Sequence, residues 1–254
     1  TMTTGDSELI AVDMGNSRIS CGRFKSGILL KSWFYPLAEV EAAAQELGTS
    51  SCHRIAVCSV VPLAHEKLKQ KLLALGKQVC EIRSGDASML AGVYDTMGAD
   101  RIANAIAARR LYGHNSAAIS IDAGTATTLT AVNRGGEFAG GFITLGLGKS
   151  IALLHQAGAQ LPLAGMKPIV DRELCFDTES AILSGTLLGQ VGMIEYWVRL
   201  AKRRLAGESV VIATGGWSEM ISRHSNVFDV CDPFLTLKGV YLIALEEGNR
   251  AGRV

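Results

Sequence analysis

Two short segments of this 254-residue chain join a carboxylate to a glycine turn: Asp13-Met14-Gly15-Asn16-Ser17 and Asp122-Ala123-Gly124-Thr125. A strand that ends in Asp and turns tightly through Gly lets backbone N–H groups approach an anion with no side chain in the way. The carboxylate at the strand end can hold a cation, directly or through water, and such oxygen ligands suit Mg2+ beside phosphates. Asn16, Ser17, Thr125, Thr127 and Thr128 add short donors for phosphate oxygens. One copy alone would read as an ordinary turn, because Asp and Gly are common turn residues. Two copies at matching places shift the balance towards phosphate. A third glycine turn, Thr214-Gly215-Gly216, follows another apolar run and offers the close backbone approach that a nucleoside or phosphate needs. Asp100 opens a helical pattern, where an acid complements the helix N-terminus in any protein.

The elements that position these residues repeat. Strand-like runs cover 9–13, 19–24 and 28–34, followed by a helix over 38–47, a buried strand over 55–61 closed by Pro62, and a helix over 64–75. A loop over 84–97 precedes a helix over 102–111. The second half begins alike, with strands over 117–122, 127–132 and 137–142, then helices over 150–160 and 180–204 and a strand over 209–213. A duplicated unit of three strands and a helix predicts two similar α/β lobes, residues 1–114 and 115–254, with a cleft between them.

Composition narrows the function classes. The chain is 48% hydrophobic and 19% charged, with 25 basic against 24 acidic residues and a net charge of +1. That balance creates no field for a polyanion, so neither nucleic acid nor a membrane surface is an expected partner. No apolar run reaches the roughly 18 residues that span a bilayer, and no basic-then-apolar leader is read at the N-terminus. The expectation is a soluble cytoplasmic protein. Six scattered cysteines and five dispersed histidines form no zinc pattern. Lys202-Arg203-Arg204 reads as a solvated helix end, and Trp33, Trp197 and Trp217 as packing residues.

The three glycine turns match the phosphate-1, phosphate-2 and adenosine elements of the acetate and sugar kinase/Hsp70/actin superfamily. Within it, VDMGNSRISCGRF (12–24), SVVP (59–62), MGADRIANAIAARR (97–110), IDAGTATTLTAV (121–132), GGFITLGL (140–147), FDTESAILSG (176–185) and IATGG (212–216) occur in one order. This set resembles type III pantothenate kinase. The resemblance implies two RNase H-like (actin-like ATPase) lobes with mixed sheets and an ATP-dependent phosphorylation of pantothenate, the first step of coenzyme A synthesis. It implies Mg2+, a monovalent cation (K+ or NH4+) and a homodimer, with the apolar stretch 182–200 as a packing element for the dimer or for the interior of one lobe.

By the same resemblance Asp100 is the proton acceptor, and Asp13, Met14, Gly15, Asn16, Ser17, Arg18, Ile19 and Ser20 form the first ATP-phosphate loop. Asp13 also stands by Mg2+. Thr125 is a further ATP contact, Gly215 and Gly216 belong to the adenosine element, and Asp122 is a ligand of the monovalent cation. Gly98, Ala99, Asp100, Arg101, Thr178 and Tyr94 fall at the pantothenate positions. Ser17 stands where the family usually has threonine, and Tyr94 comes only four residues before Gly98 with no proline beside it, closer than the family's tyrosine. Two other readings compete: a non-catalytic regulatory relative of the kinase, and a kinase for a different small alcohol. The presence of Asp13, Asp100, Asp122 and Thr125 favours catalysis.

Overall fold

A computed structural model describes residues 8–83, 89–158, 160–165 and 174–251, with side chains to residue 248. Residues 84–88 of the expected loop and residue 159 of the expected helix over 150–160 lie outside them. By compactness the chain divides into two units, one of residues 1–112, 136–138 and 234–254, the other of residues 113–135 and 139–233.

The first unit is built on β1 (Leu9–Met14), which is apolar almost throughout and buried on both faces, as a central strand must be. It pairs antiparallel with β2 (Arg18–Lys25), which pairs antiparallel with β3 (Ile28–Pro36). On its other side β1 runs parallel to β4 (Arg54–Ser59), and β4 to β5 (Gln78–Ile82), giving the order β3-β2-β1-β4-β5. Crossover helices α1 (Val40–Thr49) and α2 (Pro62–Ala74) make the parallel pairings possible. Pro62 does not merely end a strand; it is the first residue of α2, where its missing N–H costs nothing.

Alternation along β1 separates two cores. Ile10, Val12 and Met14 pack with Val40, Ala43, Ala44 and Leu47 of α1 and with Leu68 and Leu72 of α2. The opposite face is covered by the C-terminal helix, which packs on β1. Helix α3 (Ala99–Ala107) runs into a turn of π-helix over Ala108–Tyr112.

The second unit repeats the plan. Its strands are β6 (Ala117–Ala123), β7 (Ala126–Val132), β8 (Phe138–Leu145), β9 (Ser209–Thr214) and β10 (Val230–Cys231), in the order β10-β9-β6-β7-β8. Central β6 is antiparallel to β7 and parallel to β9, as β1 is to β2 and β4. Helix α4 (Leu147–Ala157) follows β8, and the 28-residue α5 (Thr178–Leu205) buries Leu183, Leu187, Val191, Ile194 and Val198 against Ile119 and Ile121. A short α6 (Ser218–Ser222) follows β9.

The last helix, α7 (Leu235–Ala251), departs from the expected division at 114/115, because it belongs to the first unit. Tyr241 stacks on Phe24 with ring centroids 4.6 Å apart, and its hydroxyl accepts from the Gly27 amide at 2.8 Å. Thr236 donates to Asn104 Oδ1 at 2.8 Å inside the α3–α7 contact. Gly239 makes that contact close: a Cβ there would fall on the backbone of Ala103, 2.8 Å from its Cα. Gly239→Ala should therefore destabilise the protein by about 1–3 kcal/mol through overpacking, against the roughly 1 kcal/mol that alanine otherwise adds to a helix. Denaturant unfolding checks the sign, and a more stable variant would mean the two helices separate freely.

Candidate active site

Helix α3 begins at Gly98, whose side-chain-free N-cap leaves the first-turn amides to other acceptors. Asp100 supplies one: its Oδ1 accepts the Arg101 N–H at 2.8 Å. The carboxylate folds back over Gly98 so closely that a Cβ at that position would collide with Oδ1. Gly98 has an ordinary negative φ, so the glycine is there to make room for the acid and not for backbone freedom. Burial raises the Asp100 pKa, while the Arg101 amide and guanidinium pull it back. The acid thus complements its helix terminus, as any Asp there would, and at the same time holds its proton more readily than a surface carboxylate.

Asp13 lies at the same edge of the first sheet. It pairs with Ser20 across the hairpin and with Cys58 on β4. The fully buried Cys58 thiol is pushed well up, first by burial and then by the negative charges of Asp13 and Asp100, so both carboxylates act on one sulfur atom. Val60, just past β4, donates to Met14 O at 3.1 Å and its side chain comes within 3.9 Å of the position a Gly98 Cβ would take. The chain ends of β1 and β4 and the start of α3 therefore bring Asp13 and Asp100 to one locality.

The first hairpin closes through Gly15 N–H to Arg18 O at 3.0 Å. Asn16, Ser17 and Arg18 are exposed and Ser20 is half-buried. Met14 and Ile19 are different: both are fully buried in the core, so only their main chain can serve a ligand. Gly15 does not have a positive φ, and a Cβ would meet only Arg18 O at 3.6 Å. Neither strain nor packing demands glycine there, which leaves approach from outside as its use.

The second hairpin is one residue shorter, with Asp122 opposite Thr128 where Asp13 is opposite Ser20. Gly124 N–H donates to Ala126 O at 3.0 Å. Gly215 is obligatory: its φ is +90° and a Cβ would strike Asp122 Oδ1 and the Ala123 carbonyl. Trp217 N–H donates to Ala123 O at 2.9 Å, tying the Gly215-Gly216 turn to the end of β6. Gly146, at the start of α4, is visible in the sequence only as part of the motif over 140–147. Its amide donates to Thr125 O at 2.9 Å, and a Cβ would strike the Gly124 and Thr125 carbonyls. Asp122, Thr125, Gly146 and Gly215 are thus brought together within the second unit. Thr127 corrects one expectation: it is fully buried, and its hydroxyl donates to Gln190 Oε1 of α5 at 2.9 Å, so it is a structural donor and not a phosphate contact.

Of the remaining residues, Ala99 is buried, and Arg101 is not the surface arginine that its place on a first helical turn would suggest. It is 5% exposed, and Nη1 donates to the Tyr94 hydroxyl at 2.6 Å. The short segment before Gly98 therefore delivers Tyr94 to Arg101, with the tyrosine ring tilted on Phe138 at 5.8 Å. Thr178 is the exposed first residue of α5, while Asp177 is its N-cap, accepting the Ser180 N–H at 2.9 Å. Among the described residues no helix is long and apolar enough to cross a membrane.

Residues 9–200 match the model of the family described as type III pantothenate kinase. A protein of that name from Rubrobacter xylanophilus is 35% identical over 271 aligned positions, 96% of this chain and 99% of its own. Among solved structures, a conserved Campylobacter jejuni protein assigned to the Baf family of transcriptional activators superposes with a TM-score of 0.63 at 17% identity, covering 94% of this chain and 99% of the other. An archaeal actin homolog gives 0.55 at 13% identity, over 96% and 99%. A polyphosphate/ATP-glucomannokinase from Arthrobacter gives 0.52 at 16%, over 95% and 100%. At these identities the likeness is one of fold, the two-lobed actin-like ATPase fold.

The raised pKa of Asp100 has a sign in stability. Its ionised form is disfavoured in the folded chain, so stability falls as pH rises from the usual carboxylate range through the folded pKa. Asp100→Asn keeps an acceptor for the Arg101 amide and should be more stable than wild type at pH 7, with the gain vanishing below about pH 4. Thermal unfolding across pH measures this; a variant weaker at every pH would make the carboxylate a structural anchor instead. Asp13, Asp100 and Asp122 all fall inside the matched span, and by that match and the 35% identical relative the chain belongs to the type III pantothenate kinase family.

Proposed function

We propose that this chain transfers the terminal phosphoryl group of ATP to the primary hydroxyl of pantothenate. Membership of the family is the first support, and the observation that carries the catalytic part is the buried Asp100 carboxylate lodged over Gly98 with its pKa raised. A primary alcohol is a weak nucleophile, and a carboxylate with an elevated proton affinity is suited to take its proton as transfer proceeds. The remaining task is to align the groups and neutralise charge. Asp13, Met14, Gly15, Asn16, Ser17, Arg18, Ile19 and Ser20 would line the ATP phosphates, Met14 and Ile19 through their main chain, with Thr125 a further contact and Gly215-Gly216 beside the nucleoside. Tyr94 and Arg101, with Gly98, Ala99 and Thr178, would receive pantothenate, the guanidinium meeting its carboxylate.

The residues fit the metals that such a reaction uses. Among the described residues no group of three or more His, Cys, Asp or Glu gathers for an ion. Asp13 would hold Mg2+ carried on the triphosphate, through or beside water, and the ion would neutralise phosphate charge. Asp122 would take the monovalent cation. Turnover measured by ATP consumption with pantothenate, Mg2+ and potassium tests the reading: Asp100→Asn should lower kcat by about 10²–10⁴-fold. Equal turnover in the variant would remove Asp100 from the chemistry, and none in either protein would remove the kinase.

The homodimer is part of the same proposal. Helix α5 turns its apolar side inward, and its outer side carries Gly185, Gly189 and Gly192, where a Cβ would meet nothing within 4 Å, beside the half-exposed Tyr196. Spacings of four and three residues put these on one stripe. Mid-helix glycines are costly unless close approach uses them. Gly189→Gln should convert a dimer to monomers in sedimentation equilibrium; an unchanged mass would place the interface elsewhere.

A further inference from the structure

Lys202-Arg203-Arg204 closes α5, and in the sequence the run reads as a solvated helix end. Two of its residues have a further setting. Lys202 and Arg203, with Arg199 one turn earlier, line a cleft of about 700 Å3 between α5 and the chain that follows α6, while Arg204 lies outside it. The floor is apolar, made by the buried Val198 and by Val227, which packs on the core of the second unit. That volume is in the range of small-molecule sites.

The charge in this cleft is not neutralised from within. Glu195 precedes Arg199 by four residues, the favoured order for a helical ion pair. Its carboxylate accepts the Ser225 hydroxyl at 2.7 Å instead, and the Arg199 guanidinium lies over the Tyr196 ring, its central carbon 5.1 Å from the ring centroid. Among the described residues no carboxylate forms an ion pair with Arg199, Lys202 or Arg203. The helix end accounts for part of this, because its carbonyls favour cations in the last turn. They amount to about half a negative charge, so three cations less Glu195 and that half leave an excess of about +1.5.

We propose that the cleft binds a small organic phosphate with two phosphoryl groups, of nucleoside diphosphate size. An excess of that size matches a diphosphate better than a monovalent anion. A guanidinium held flat on an aromatic ring keeps its N–H edge for phosphate oxygens, and the exposed Asn226 adds an amide at the rim. The valine floor takes the organic part. The cleft is separate from the nucleotide turn: α5 ends beside the start of β9, and Gly215 lies past the other end of that strand. Along α5 the rise from Thr178 to Arg203 is about 37 Å.

The test is calorimetric titration of the whole chain with inorganic pyrophosphate in metal-free buffer, sodium chloride holding the ionic strength constant. Wild type should bind saturably. Arg199→Gln and Arg203→Gln should each weaken binding by about tenfold or more, as the loss of a charge-assisted contact does. Arg204→Gln, which removes an equal charge from the adjacent position, should bind as wild type does. Uridine diphosphate should depend on the same two arginines. No saturable binding, or equal weakening by Arg204→Gln, would reduce the cleft to a diffuse field and overturn the site. Unchanged affinity in Arg199→Gln and Arg203→Gln would overturn it by moving pyrophosphate elsewhere, and a uridine diphosphate affinity indifferent to both would overturn the organic ligand. Neither pantothenate nor Mg2+ with ATP takes part, so the outcome is independent of the kinase reading.

Discussion

Placing a carboxylate inside a protein at the mouth of a helix is unfavourable unless the surroundings are shaped for it, and the first unit is shaped around Asp100. Gly98 supplies the volume, the Arg101 amide supplies a hydrogen bond, and the guanidinium of the same residue supplies the opposite charge. Arg101 is in turn held by the Tyr94 hydroxyl, and α3 is held down by Gly239 of α7 against Ala103. The Gly-Ala-Asp-Arg order follows from these needs: the space must come before the acid, and the counter-charge directly after it. Burial of the acid disfavours its ionised form and so raises its affinity for a proton.

The glycines near the candidate site differ in their physical reasons. Gly215 is imposed by backbone conformation, Gly146 by the carbonyls it presses against, and Gly98 by its neighbour's carboxylate. Gly15 has neither strain nor crowding to explain it. The first three shape the protein for itself; the fourth leaves space on the outside, beside the exposed Asn16 and Ser17.

Much of this was legible in the residues. β1, β4, β6 and β9 are continuous apolar runs, and they emerged as the central strands. The doubled Asp-x-Gly pattern located both hairpins, although the missing residue in the second is a matter of register that spacing does not reveal. Four elements were missed, the five-residue α6 among them. β5 has no clear alternation, and β10 has only two residues. Helix α7 reads Leu-Thr-Leu-Lys-Gly-Val-Tyr-Leu-Ile-Ala-Leu at its start, apolar nearly all round, because it is covered by β1 and by α3 together. Such a helix lacks the polar stripe that periodicity detects, and its Val-Tyr-Leu-Ile run looks like a strand. The burial of Arg101 is a product of tertiary packing, for which neighbouring residues in the chain carry no sign.

The docking of α7 on β1 has a consequence for assembly. Strand β1 and helix α7 bury one another, so the first sheet is finished by residues that follow the whole second unit in the chain. Until then one whole face of β1, Leu9 and Ala11 among it, has no cover. Closing so long a loop is entropically slow, and the uncovered apolar sheet is prone to aggregate meanwhile. Newly made chains therefore pass through a vulnerable interval whose length is set by translation, and the 95 residues of the second unit that intervene at 139–233 must be produced before it can end.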